Sequence, residues 1–188
     1  MLELKEKYII ILQKPYLCNI TCFLMVLYRN EKILFEQEYL AKYFNVKIHP
    51  KHQESFNVKL EHTIKINDDE WLKTIEEEKL INNFLKEKKI NLIAKSFYYS
   101  DITDLKLFIE KNLKDWNDMW VEYKTEGIFP WSKWIHDWLI ESIDWSVITM
   151  IDPGPQNKNR YQVHIDYLEE ALSDKFARET GIILIKKK

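Results

Sequence analysis

The segment "CNITCFLMVLYR", residues 18–29, constrains the fold more than any other part of the chain. It predicts a helix that is apolar around nearly its whole circumference. Such a helix must be covered on every side, so it belongs at the centre of its domain. Lys14 and Pro15 predict a turn just before it and separate it from a short predicted strand at residues 8–12. Neither apolar piece is long enough to span a bilayer.

Helices dominate the first half of the predicted structure, and strands dominate the second. Two further helices are predicted in "FEQEYLAKYFNV", ending near Asn45, and in "DDEWLKTIEEEKLINNFLKEKK", with Asp68 and Asp69 at its start. A strand at residues 63–66 lies between them. Later strands are predicted in "INLIAKSFYY", "NDMWVEYK", "HDWLIESID", "WSVITMID" and "GIILIKKK", and helices in "SDITDLKLFIEKNLKDW", capped at Ser100 or Asp101, and "VHIDYLEEALSDKFARE". A tight turn around Asp144 joins two of the strands. We therefore expect one α+β domain over residues 1–188, with a helical half packed on a mostly antiparallel sheet.

Composition excludes several classes of protein. The chain has 188 residues, of which 46% are apolar and 14% aromatic, as in a folded globular domain. With 28 basic and 30 acidic residues, it does not resemble a nucleic-acid or acidic-membrane binder. Cys18 and Cys22 lie four residues apart, on one face of the predicted helix, and this geometry suits a disulfide poorly. No signal-peptide cleavage site follows the apolar run. We expect a cytoplasmic protein without a membrane partner, and the oligomeric state stays open.

Four residues have the types and the order that cysteine-based catalysis requires. Cys18 begins the apolar helix, where unpaired N–H groups and the helix dipole favour a thiolate. Gln13 precedes it by five residues and can donate to an oxyanion. His136 begins a strand, and Asp152 ends the next one. Two adjacent antiparallel strands bring these ends together, so Asp152 can accept a hydrogen bond from the imidazole and fix its tautomer.

This quartet resembles the papain-like cysteine peptidases, in particular the bacteriocin-leader-processing (double-glycine) peptidases and their stand-alone relatives. That branch has "Q…CG..C..M" at a helix start and "H.vlv.gid…v.v.DP" further on. This chain has "QKPYLCNITCFLM" and "HDWLIESIDWSVITMIDP". The stretches "FEQEYLAKYFNV" and "LKLFIEKNLKDWNDMWVEY" are similar to the second helix and to the passage before the histidine. The resemblance therefore extends over most of the chain.

The resemblance implies a role for each matched residue. Cys18 is the expected nucleophile, His136 the general base and then acid, and Asp152 its orienting partner. Gln13 and the Cys18 backbone N–H are the expected oxyanion donors. Asn19 replaces the usual glycine and faces the expected substrate site, where it can crowd the oxyanion or narrow the cleft. The leading hypothesis is a hydrolase that cleaves a peptide, isopeptide or other amide bond. An inactive peptide-binding module and an amide acyltransferase remain alternatives.

The remaining candidate residues receive structural interpretations, apart from one pair of tryptophans. Cys22 is expected in the core, and His164 is expected on the surface or as a helix cap. The spacing of the other three histidines matches no zinc-binding pattern; these are His49, His52 and His62. No metal or cofactor is expected. Six tryptophans are crowded near the predicted histidine strand. Among them, Trp131 and Trp134 are expected to line a substrate cleft.

Overall fold

The computed structural model describes residues 1–62, 74–125, 128, 135–154, 159–173 and 180–188. The helices are α1 (Cys18–Glu31), α2 (Gln37–Tyr43), α3 (Thr74–Glu87), α4 (Leu105–Lys114) and α5 (Ile165–Leu172). The strands are β1 (Leu2–Glu3), β2 (Lys47–Ile48), β3 (Glu61–His62), β4 (Leu92–Tyr98), β5 (Asp118–Lys124), β6 (Ile135–Asp144), β7 (Val147–Ile151), β8 (Arg160–His164) and β9 (Gly181–Lys187). The predicted strand at residues 63–66 and the predicted start of α3 lie outside the described residues.

The main sheet has the strand order β4-β9-β5-β6-β7-β8, and β1 also pairs with β6. Every pairing in this sheet is antiparallel. Because Leu139 lies opposite Ile151, the first residues of β6 lie beside the end of β7. A two-residue turn after Asp144 joins these strands, with Trp145 at a positive φ of 56°. The predicted α+β fold, with a largely helical N-terminal part and a mostly antiparallel sheet, is confirmed.

Helix α1 occupies the centre of the molecule, as its apolar circumference predicts. Every residue from 20 to 27 is buried. The helix packs against β6 on the sheet side. On the other side, Phe23 makes edge-to-face contacts with Phe44 after α2 and Phe84 of α3, at ring-centroid distances of 5.8 and 5.7 Å. The sheet and the two helices thus hold α1, and with it Cys18, in a fixed position.

A buried ion pair fixes the C-terminal half of α1 on the sheet. Arg29 Nε donates to Asp118 Oδ1 at 2.7 Å, and its Nη2 donates to Asp118 Oδ2 at 2.9 Å. The Tyr8 hydroxyl and the Asn30 side chain donate to the same carboxylate, at 2.5 and 2.6 Å. Asp118 is only 1% exposed, so its charge depends on these donors for compensation.

Three predicted boundaries differ from the structure. Residues 8–12 form no strand; there the backbone N–H of Tyr8 donates to the Glu141 side chain instead of joining a ladder. Helix α4 begins at Leu105, because Asp104 accepts from the Leu107 N–H and caps it, whereas Ser100 and Asp101 belong to a separate 3-10 turn. The segment predicted as one helix from residue 163 begins as strand β8, and only α5 is helical in its described part.

Candidate active site

Cys18 is the first residue of α1 and is 4% exposed. The turn predicted at Lys14 and Pro15 precedes it, with a hydrogen bond from the Leu17 N–H to the Lys14 carbonyl at 3.1 Å. Tyr16 adopts a positive φ of 66° in this turn. Cys18 and Cys22 are both free thiols, as the sequence predicts.

The thiol of Cys18 donates to Asp137, the residue that follows His136. The distance from Sγ to Asp137 Oδ2 is 3.1 Å, and within the described residues Cys18 makes no hydrogen bond to His136. Burial raises the pKa of Cys18 well above its usual value, and the Asp137 carboxylate raises that pKa further. The sequence predicts a thiolate at this helix start. The structure instead holds a thiol there, because burial and a neighbouring carboxylate outweigh the Asn19 backbone N–H, which lowers the pKa.

His136 and Asp152 lie together and are joined by a hydrogen bond. His136 Nε2 lies 2.9 Å from Asp152 Oδ1, with the imidazole 20% exposed and the carboxylate 2% exposed. Since a carboxylate only accepts, Nε2 donates, and Nδ1 is left as the nitrogen that can take a proton. The Gly154 N–H also donates to Asp152 Oδ1, at 2.7 Å. A Cβ at Gly154 would lie 2.9 Å from that oxygen, so only glycine fits without a shift.

Gln13 is held next to the same pair. Its backbone N–H donates to the carbonyl of Pro153, the residue after Asp152, at 2.8 Å. Its side-chain Oε1 is buried and has no hydrogen-bond partner among the residues the structure describes. The structure thus brings Gln13, His136 and Asp152 to one place and puts Cys18 against the residue next to His136.

Aromatic side chains surround His136. The sequence analysis did not single out two of them, Tyr123 and Tyr161. Tyr123 is the cross-strand neighbour of His136, with ring centroids 6.4 Å apart. Trp138 lies 6.2 Å from His136 and stacks on Tyr161 at 5.1 Å. Burial raises the pKa of Tyr123 well above its usual value, so its phenol is neutral. The register of β5 on β6 pairs Tyr123 with His136, and the two-residue alternation of the sequence does not fix that register. Trp131 and Trp134 lie outside the described residues.

Asn19 is turned toward an acidic side chain that the sequence did not single out. Its Nδ2 donates to Glu77 Oε1 at 3.0 Å, and its Oδ1 accepts from the Ile20 N–H at 2.7 Å. Glu77 lies with Glu122 and Asp137 in a buried group whose ligand atoms are all within 4.8 Å of one another. We call these three residues the carboxylate cluster. Burial raises the pKa of Glu77 well above its usual value, and Asp137 raises that pKa further.

The remaining candidates have structural contacts. Cys22 is fully buried in the core, with Sγ 3.4 Å from the Asp137 carbonyl. His164 is the N-cap of α5 and accepts from the Asp166 N–H. His62 bonds to Gln53, and His49 caps a 3-10 turn. No metal-type grouping in the described ranges includes a histidine. None of the described helices has the length and apolar run that crossing a membrane requires.

The α+β architecture, with Cys18 at the start of the N-terminal helix, has a similar fold among solved structures. It matches the crystal structure of a protein from Bacillus anthracis described as a "putative C39-like peptidase". The TM-score is 0.66, and the match covers 100% of this chain and 98% of that chain at 13% sequence identity. At this identity the likeness shows the fold. No protein-family model matches the chain. No curated protein matches it either.

Proposed function

We propose that the protein is a cysteine-dependent hydrolase that cleaves a peptide, isopeptide or other amide bond through a thioester on Cys18. The observation that carries the proposal is the hydrogen bond between His136 and Asp152, at 2.9 Å, at the start of the strand against which α1 packs. An imidazole oriented by a buried carboxylate is the arrangement that a thiol nucleophile needs as its base. The C39-like peptidase fold supports the same class of reaction.

In this proposal Cys18 is a neutral thiol, bonded to Asp137, before the substrate binds. Substrate binding draws Sγ away from Asp137 by rotation about the Cα–Cβ bond, which connects staggered positions. Nδ1 of His136 takes the thiol proton as sulfur attacks the carbonyl carbon, and the carbonyl electron pair moves to oxygen. The Gln13 amide and the Cys18 backbone N–H stabilise that oxyanion. His136 then gives the proton to the leaving amine, and water hydrolyses the thioester with His136 again as base.

The test combines product analysis with trapping of the thioester. The quartet resembles that of the double-glycine leader peptidases, so a peptide containing a Gly-Gly site is the first probe, followed by a mixed peptide pool. Wild-type protein should yield cleaved peptide and a transient adduct on Cys18 by mass spectrometry. Cys18→Ala and His136→Ala should lose both, whereas the matched controls Cys22→Ala and His62→Ala should keep them. Cleavage that survives in Cys18→Ala would contradict the mechanism. An added amine that appears in the product would instead identify acyl transfer.

A second candidate is a peptide-binding module without catalysis, and the contact between Cys18 and Asp137 favours it. A buried thiol with a raised pKa is a poor nucleophile unless it leaves its carboxylate partner. Asn19, which stands where the similar peptidases have glycine, is bonded to Glu77. This candidate predicts peptide binding that is unchanged in His136→Ala, with no adduct on Cys18. The same mass-spectrometry experiment, together with a binding titration, separates the two candidates.

We further propose that residues 1–188 act as one domain in a reducing compartment, the cytoplasm, on a peptide or protein substrate. The match to a solved chain over 100% of this one supports a single domain. Two free cysteines on one helix support the compartment. The near balance of acidic and basic residues supports a partner other than nucleic acid.

A further inference from the structure

Gln37, the first residue of α2, makes hydrogen bonds to the backbone of both residues that flank Gln13. Its Nε2 donates to the Leu12 carbonyl at 2.8 Å, and its Oε1 accepts from the Lys14 N–H at 2.9 Å. Because the carbonyl needs a donor and the N–H needs an acceptor, the two bonds also fix which way the Gln37 amide is turned. One half-buried side chain thus satisfies two backbone groups beside the expected oxyanion donor.

The same side chain also contacts helix α1. The fully buried Thr21 hydroxyl, which donates to the Leu17 carbonyl at 2.6 Å, lies 3.3 Å from Gln37 Oε1. Thr21 belongs to the first turn of the helix that Cys18 begins. Gln37 therefore touches both the segment that carries Gln13 and the helix that carries Cys18.

The position of the Gln13 side chain depends on its backbone. Its buried Oε1 has no hydrogen-bond partner in the described part of the chain, so this oxygen does not anchor the side chain. The backbone is held through the Gln13 N–H, which donates to the Pro153 carbonyl at 2.8 Å, and through the two Gln37 bonds to its neighbours. Pro153 ties Gln13 to the end of β7, and Gln37 ties it to α1 and α2.

We propose that Gln37 is a positioning residue, which holds the Gln13 side chain at a fixed place relative to the Cys18 backbone N–H. This inference rests on the proposed hydrolase function, in which these two groups stabilise the oxyanion. Oxyanion donors act only where charge develops in the transition state, and a displacement of about 1 Å can cost about 10²-fold in rate. Gln37 bonds to the backbone and to Thr21, so its effect on the reaction passes through Gln13.

The first measurement is amide hydrogen exchange of the full chain without substrate, followed by NMR. Gln37→Met keeps the length of the side chain but removes its hydrogen bonds. The Gln13 N–H should then exchange about tenfold faster or more, because the backbone around it opens more often. The Leu4 N–H, which donates to the Glu141 carbonyl at 3.0 Å, is the internal reference and should exchange as in the wild type.

The matched control is Gln53→Met. Gln53 Nε2 donates to the Val58 carbonyl at 2.9 Å, and its Oε1 accepts from the Leu60 N–H at 3.3 Å. The same substitution therefore removes the same kind of backbone bonds from another segment. It should leave both the exchange of the Gln13 N–H and the turnover unchanged. Thermal unfolding of both variants checks that they remain folded.

The second measurement is a double-mutant cycle on a peptide that the wild type cleaves. Gln37→Met should lower kcat about 10–100-fold and change KM less than about threefold, because the loss concerns the transition state. Gln13→Ala should lower kcat about 10²–10³-fold. In the double variant Gln37→Met should cause no further loss, since no Gln13 amide is left to position. A general structural defect would instead multiply the two losses.

Two outcomes would overturn the proposal. The first is unchanged exchange of the Gln13 N–H in Gln37→Met, which would show that Gln37 does not hold this segment, whether or not the protein is a hydrolase. The second is a loss of kcat in Gln37→Met that recurs in full in the Gln13→Ala background. A wild-type protein that cleaves no peptide would refute the hydrolase function, whereas faster exchange at Gln13 in Gln37→Met would still support the placement of Gln13 by Gln37.

Discussion

Replacing Arg29 with methionine should destabilise the protein by about 3–5 kcal/mol, the usual cost of leaving one member of a buried ion pair uncompensated. Arg29 gives two hydrogen bonds to Asp118 and a third to the Trp116 carbonyl, at 2.9 Å. Methionine keeps much of the side-chain volume but provides none of them. The side chains of Arg29 and Asp118 are 6% and 1% exposed, so water replaces little of the lost compensation.

The assay is thermal and urea unfolding followed by circular dichroism. In a chain of this size, each kcal/mol lowers the Tm by about 2–4 °C, so the expected decrease is about 6–20 °C. The informative control is the double variant Arg29→Met/Asp118→Asn. It removes the orphaned charge, while the amide oxygen introduced at position 118 can still accept from Tyr8 or Asn30, so it should recover most of the loss. A single variant that loses less than about 1 kcal/mol, or a double variant less stable than the single, would refute the assignment of this pair as a buried charge that needs its partner.

Three further predictions concern the site and its surroundings. Without substrate, iodoacetamide should label Cys18 slowly at pH 7. Asp137→Asn should move the inflection of the labelling profile to lower pH, because the negative neighbour that raises the Cys18 pKa is gone. Fast labelling of the wild-type protein at pH 6 would contradict the raised pKa of this thiol. Lys14 lowers the pKa of Glu38, so this ion pair contributes stability above the unfolded pKa of glutamate, and that stability is lost as the pH falls through the lowered pKa. Glu38→Gln should therefore flatten the acid part of the curve of unfolding free energy against pH. An unchanged acid slope in this variant would disprove the contribution of Glu38 to the pH dependence. Gly154→Ala should reduce turnover and cost about 1–3 kcal/mol, because its Cβ would press on the aspartate two residues earlier, and unaltered kinetics would show that this carboxylate can shift freely.

The sequence predicted the elements whose patterns are local and unambiguous. Helix α1 follows from its apolar circumference, and the β6–β7 hairpin follows from two alternating segments with a short turn. The partner of the Cys18 thiol could not be predicted, because it depends on how α1 is rotated against β6 and not on any spacing. The strand expected at residues 8–12 failed for a similar reason: the Tyr8 N–H finds a distant side chain, Glu141, where a ladder was expected.

The carboxylate cluster also could not be predicted from the sequence. Its members lie on a helix and two strands, and each one alone looks like an ordinary charged residue in the sequence. Only the packing of α1 against β5 and β6, together with the contact of α3 with α1 through Glu77 and Asn19, brings them together away from water. The charged residues around Glu77 in the sequence are typical of a solvated helix face. The residue alternation along β5 does not reveal that both faces of this strand are covered.

The position of β9 between β4 and β5 has a consequence for how the chain is made. Residues 181–187 are the last part of the sheet to leave the ribosome, yet they supply the hydrogen bonds that join β4 to the strands carrying Tyr123 and His136. Until they arrive, β4 and β5 each present an open edge that invites pairing with another chain. A chaperone that protects nascent edges should therefore matter most during the interval between the synthesis of β8 and that of β9. A pulse of proteolysis on nascent chains of increasing length should show protection of the sheet appearing only after β9 has emerged.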